Sequence, residues 1–84
     1  MKNFLEYIKE KLNRELKPKK ILLIDNSYLH VKHKSFDPNR FHLKLVIESK
    51  YLKNMKTIDA NRIIHSILAE ELKNKIHALQ IEIK

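Results

Sequence analysis

The stretch Phe41-His42-Leu43-Lys44-Leu45-Val46-Ile47-Glu48-Ser49-Lys50-Tyr51 decides how this chain folds. Phe41, Leu43, Leu45, Ile47 and Tyr51 share one parity, while His42, Lys44, Glu48 and Lys50 share the other. A strand turns successive side chains to opposite faces, so this alternation predicts a half-buried strand of the antiparallel type.

Upstream, Ile21-Leu22-Leu23-Ile24 is a short apolar run bounded by Asp25-Asn26-Ser27. It is too short for a helix and predicts a second strand, covered on much of its surface. Residues 28–39 are polar, carry His30 and His33, and close on Asp37-Pro38-Asn39, which predicts a loop ending in a turn. Before them, Leu5, Ile8, Leu12 and Leu16 recur at helical spacing, with Phe4 widening the stripe, which predicts a helix over 3–16. Glu10–Arg14 and Lys11–Glu15 are opposite charges one turn apart on its solvated side. Lys17-Pro18 ends it, because a residue before proline is pushed out of the α region.

Downstream, residues 52–56 make a polar connector with room for one helical turn. Thr57 is the expected N-cap of a helix running to about Lys73, with Asp59 favourably placed near its positive end. That helix is expected to bury Ile63, Ile64, Ile67, Leu68 and Leu72, with His65 packing at the flank and Asn74 as a left-handed cap. Residues 76–83 read as the last strand, with His77, Leu79, Ile81 and Ile83 on one side. The order α-β-β-α-β predicts an α+β fold: a single domain over 1–84, its three-stranded mixed sheet covered by helices on one face.

Composition narrows the function. The 84 residues include no cysteine, so no disulfide, thiolate ligand or cysteine nucleophile exists here. With no glycine there is no Gly-rich phosphate loop, and no HExxH pair occurs. Ser27 near His30 is a weak dyad, and Glu70-Glu71 are neighbours that cannot face each other on a helix. A catalytic role is therefore not expected. No apolar run reaches membrane-span length and the N-terminus lacks a signal peptide's apolar stretch, so the expected location is the cytoplasm. The formal charge is +8, from 18 basic and 10 acidic side chains. Fifteen of the basic residues are Lys, a solvated point charge rather than a bidentate reader of phosphate or guanine. This charge favours polyanionic partners without identifying one.

The ordered set Asp25-x-Ser27-x-x-His30, the alternating Phe41-to-Tyr51 strand, Arg62, Leu68-Ala69-Glu70-Glu71-Leu72 and Ile76-His77-Ala78-Leu79 resembles the BolA family over roughly residues 3–83. The resemblance implies a class II KH-like fold and partnership with a monothiol glutaredoxin. It also implies a 2Fe–2S cluster shared with the glutaredoxin and its glutathione. His77 matches the family's last-strand ligand, His30 its loop ligand, and His33 the further loop histidine; the isolated chain is expected to hold no cofactor. Two departures stand out: Lys32 replaces a glycine between the loop histidines, and Ala60-Asn61-Arg62 keeps only the last residue of a basic triplet.

Neutral imidazole is a competent iron ligand, and binding requires the deprotonated ring. Spacing alone favours His77 as a half-buried structural residue, and it is the family resemblance that turns it toward a ligand; His30 and His33 also read as solvated loop residues. His42 falls on the polar side of its strand and is expected at the surface. A second reading is a DNA-binding transcriptional regulator acting through the helix 57–73 and surrounding lysines. In it Lys56 and Arg62 contact phosphate and Asn61 reads adenine. A third is a protein-interaction module without metal. Under any of the three readings, the isolated chain is expected to be a monomer or weak homodimer.

Overall fold

A computed structural model describes residues 3–27 and 41–84. Helix α1 (Phe4–Leu16) starts at Asn3, whose Oδ1 accepts from the Glu6 N–H at 2.8 Å. It ends at Lys17, whose φ of 46° lies in the left-handed region that usually takes glycine. A chain without glycine must place another residue there. The Lys17 N–H compensates by donating to the Asn13 carbonyl at 2.9 Å.

Strand β1 (Lys20–Asp25) pairs antiparallel with β2 (Phe41–Glu48), Leu23 lying opposite Leu45. Three helical pieces follow, α2 (Lys50–Lys53), α3 (Thr57–Ile67) and α4 (Ala69–Asn74). Strand β3 (Ile76–Ile83) then returns parallel to β2, giving the order β1-β2-β3. This is the mixed sheet the element order predicts, with β2 at its centre. The odd-numbered face of β2 carries the core: Leu43, Leu45 and Ile47 are buried with Ile8 and Leu12 of α1 and Ala60 and Ile64 of α3. Each of these Leu and Ile side chains contributes about 1.5–3 kcal/mol relative to exposure.

Several local expectations are corrected. β1 is not covered on both faces: Leu22 is 52% and Ile24 36% exposed, because the helices cover only the side of the sheet that holds Leu23. β2 stops at Glu48, so Tyr51 leaves the strand pattern and sits exposed on α2. There Ser49 is the cap, its buried Oγ accepting from the Leu52 N–H at 3.3 Å. Lys56, not Thr57, is the N-cap of α3, and it makes no side-chain cap bond. The long helix breaks at Leu68 (φ −99°, ψ 18°), which is fully buried. Asn74 stays helical and Lys75 (φ −127°, ψ −21°) closes the helix without a left-handed residue. His65 is exposed rather than packed.

One ion pair ties the first helix to the last. Lys11 Nζ lies 3.0 Å from Glu71 Oε1, and the Glu71 side chain is only 9% exposed. Burial raises the carboxyl pKa, but hydrogen bonds from Lys11, its own backbone and Tyr7, with the Lys11 charge, outweigh this and hold it below 4.5. A depressed carboxyl stabilises the fold above the unfolded value and loses that contribution as pH falls through the folded one. The thermal midpoint is therefore expected to drop as pH is lowered from about 5.5 toward 3. Glu71→Gln should start lower at neutral pH and show a shallower drop, as measured by circular dichroism melts.

Candidate functional site

The pairing of β2 with β3 slips by one residue where the histidines lie. Phe41 faces Ile76, but His42 faces Ala78, leaving His77 as the extra residue of a β-bulge. A bulge breaks the two-residue period and re-aims the side chain it carries. His77 therefore does not follow the parity of Leu79 and Ile81. Its ring lies against that of His42, with centroids 4.8 Å apart and planes tilted by 35°. His77 is exposed, whereas His42 is 8% exposed. The surface position expected for His42 is thus wrong: the bulge lays its neighbour's ring over it. An open cleft of about 280 Å³ adjoins the pair, lined by His42 with Asn26, Leu43, Ala78 and Gln80.

The surrounding backbone is held firmly. Phe41 stacks on Phe4 of α1 at 4.8 Å, and its N–H donates to the Lys75 carbonyl at 2.8 Å. On the other side, Ser27 Oγ accepts from the His42 N–H at 3.1 Å, and the Asn26 N–H donates to the His42 carbonyl at 2.7 Å. Asp25 Oδ1 accepts from the Ser27 N–H at 2.9 Å. Asp25 and Ser27 of the quoted motif thus fasten the end of β1 to His42. Both described ends of the segment 28–40 are bonded or adjacent to this residue. The expected ligands His30 and His33 themselves lie outside the described residues. Among the described residues no group of three His, Asp or Glu stands close enough to hold a metal ion.

Of the residues expected to contact DNA, two are exposed and one is half-buried. Lys56 and Arg62 are exposed, but Asn61 is half-buried, and its Oδ1 is enclosed without a hydrogen bond. It lines a separate cleft of about 330 Å³ beside Leu52, Ile81 and Ile83. A buried amide oxygen cannot present a base-reading edge. His42 is the residue that sequence reasoning misses, since the register slip that buries it has no mark in the alternation.

A small α+β domain with a histidine-bearing bulge on its last strand is therefore the class of molecule at hand. A family model described as BolA-like protein matches residues 12–84, and the chain belongs to that family. Chloroplastic protein BOLA1 of Arabidopsis thaliana is 33% identical over 86 residues, covering 96% of this chain and 52% of that protein. The DNA-binding transcriptional regulator BolA of Haemophilus influenzae is 30% identical over 78 residues, covering 93% of this chain and 73% of that protein. The chain thus spans about half the length of BOLA1, and 22% of the related Arabidopsis SufE-like protein 1. Among solved structures, the BolA domain of SufE1 from Arabidopsis thaliana superposes with a TM-score of 0.84 at 33% identity. That match covers 100% of this chain and 93% of that one.

Replacing His42 with Ala should leave His77 without the ring it rests on. The expected result is that the His77 ring-proton resonances move toward free-imidazole positions in the NMR spectrum, while the amide spectrum of α1 stays put. Ring resonances that do not shift would show that His42 does not set the His77 orientation.

Proposed function

We propose that this chain is a non-catalytic adaptor that docks on a monothiol glutaredoxin and completes a shared 2Fe–2S cluster. His77 and one histidine of the segment 28–40, His30 or His33, are its ligands in this reading. The observation that carries it is the bulge, which exposes an imidazole beside both fastened ends of the segment bearing the other two. The donor set fits in kind, because imidazole is an established ligand of such clusters. Among the described residues no group of three such ligands stands together, and in this reading the glutaredoxin and its glutathione supply the sulfur ligands. The cluster supplies one-electron chemistry and a transferable iron–sulfur unit. This chain's own part is to present His77 at a fixed angle and to hold the segment 28–40 at both ends. The role would belong to iron–sulfur cluster trafficking or iron sensing in the cytoplasm.

The second reading, a DNA-binding transcriptional regulator, draws on relatives that carry that name and on the +8 charge. Here it relies on Lys56 and Arg62 for phosphate contacts, without the adenine contact assigned to Asn61.

Mixing the chain with a glutathione-ligated, cluster-loaded monothiol glutaredoxin should change the visible absorption and circular dichroism of the cluster. His77→Ala should abolish that change while leaving the melting temperature within a few degrees. A spectrum indifferent to the chain, or a change that survives His77→Ala, would overturn the proposal. For the second reading, Arg62→Ala is expected to weaken duplex binding equally for all sequences and to lower the salt slope by about one.

A further inference from the structure

At the far end of β2, roughly 20 Å from the histidines at ~3.3 Å per residue, the strand termini are tied together. The Lys19 N–H donates to the Glu48 carbonyl at 2.8 Å, the Lys84 N–H to Ile47 at 2.9 Å, and the Ser49 N–H to Lys84 at 3.3 Å. Helix α2 starts at this junction, with Leu52 driven into the core at 1% exposure. Burying that one residue turns Lys50, Tyr51 and Lys53 outward together. The result is an open cleft of about 550 Å³ lined by Lys17, Lys19, Lys50, Lys53, Lys84 and the ring of Tyr51, which is 62% exposed.

The chemistry of this cleft is specific in kind. Two of its lysines have carboxylate partners, Glu48 at 3.5 Å from Lys19 and Glu82 at 3.6 Å from Lys84, and both pairs are exposed, so solvent screening leaves them readily exchanged for another anion. Lys53 Nζ donates to the Ile83 carbonyl at 3.3 Å, an exposed bond at the rim between this cleft and the one beside Asn61. An exposed tyrosine ring among five lysines offers a π-face between point charges. That combination suits a strand whose bases are free to stack and whose phosphates follow closely on one another. A duplex fits poorly, because its bases are already stacked. α2, at four residues, is also too short to lie along a major groove.

We propose that this cleft binds short single-stranded nucleic acid without sequence preference, a base resting on Tyr51 and consecutive phosphates on the surrounding lysines. The cleft lining includes none of His77, Lys56 and Arg62, so Tyr51 and Lys50 test it apart from both readings above, although its Lys53 also lines the cleft beside Asn61.

The test is fluorescence anisotropy of the full chain with a labelled twelve-nucleotide oligo-dT, repeated across a series of salt concentrations. Affinity should fall with salt at a slope set by about three to five phosphate contacts, near −0.7 per contact. Tyr51→Ala should weaken binding about tenfold, and Tyr51→Phe should restore it, since the π-face is what matters. The double change Lys50→Ala, Lys53→Ala should weaken binding and flatten the salt slope by about one and a half. Lys9→Ala with Lys75→Ala, which removes the same charge outside the cleft, should stay within about twofold. Three outcomes would each overturn the proposal: equal losses for the two double variants, no effect of Tyr51→Ala, or stronger binding of the matching duplex.

Discussion

Burial of one face of β2 is the constraint on which the rest of this molecule depends. Leu43, Leu45 and Ile47 are each at most 3% exposed, and helices from both halves of the chain close over them. Because strand side chains alternate strictly, fixing these three fixes the register of both neighbours. β1 must present Leu23 on the same side, and β3 must present Leu79 and Ile81 there, opposite Leu43 and Leu45. Both ends of β2 inherit their roles from this registration. One end receives the histidine pair and the other receives the lysine-lined cleft.

The bulge at His77 is the one place where that registration gives way. Ile76 is 1% exposed and faces Phe41, so the strand enters the sheet pointing at the core. Leu79 also has to point at the core. Ile76 and Leu79 differ in parity, so one residue must be taken up between them, and His77 is that residue. An exposed imidazole therefore arises from an apolar requirement on either side of it. The chemistry at the surface is set by packing beneath it, a dependence that also explains why His42 is buried under the ring of its neighbour.

How much of this can be read from the letters follows from the range of each interaction. The strand from Phe41, the final strand over 76–83 and the end of α1 at Lys17-Pro18 are local patterns that the structure matches, and the α-β-β-α-β order holds with its crossover helix divided into α2, α3 and α4. The break at Leu68, the open face of β1 and the cap at Ser49 depend on what lies across the core, and no window of sequence carries that. The same holds for the site. His77 stands out through its setting in Ile-His-Ala-Leu, but its pairing with His42 requires knowing that β3 is slipped by one residue against β2. Asn61 shows the opposite failure: its residue type suits base reading, yet its side chain is turned into a cleft.

Parallel neighbours cannot be joined by a tight turn, and here α2, α3 and α4 fill the crossover between β2 and β3. His42 and His77 thus come from opposite ends of a long excursion of the backbone and meet only once that excursion has docked. A ligand recognising the juxtaposed rings would have no counterpart in the unfolded ensemble. By thermodynamic linkage its occupancy would therefore add directly to the stability of the native state, in proportion to the logarithm of one plus the ratio of ligand concentration to its dissociation constant.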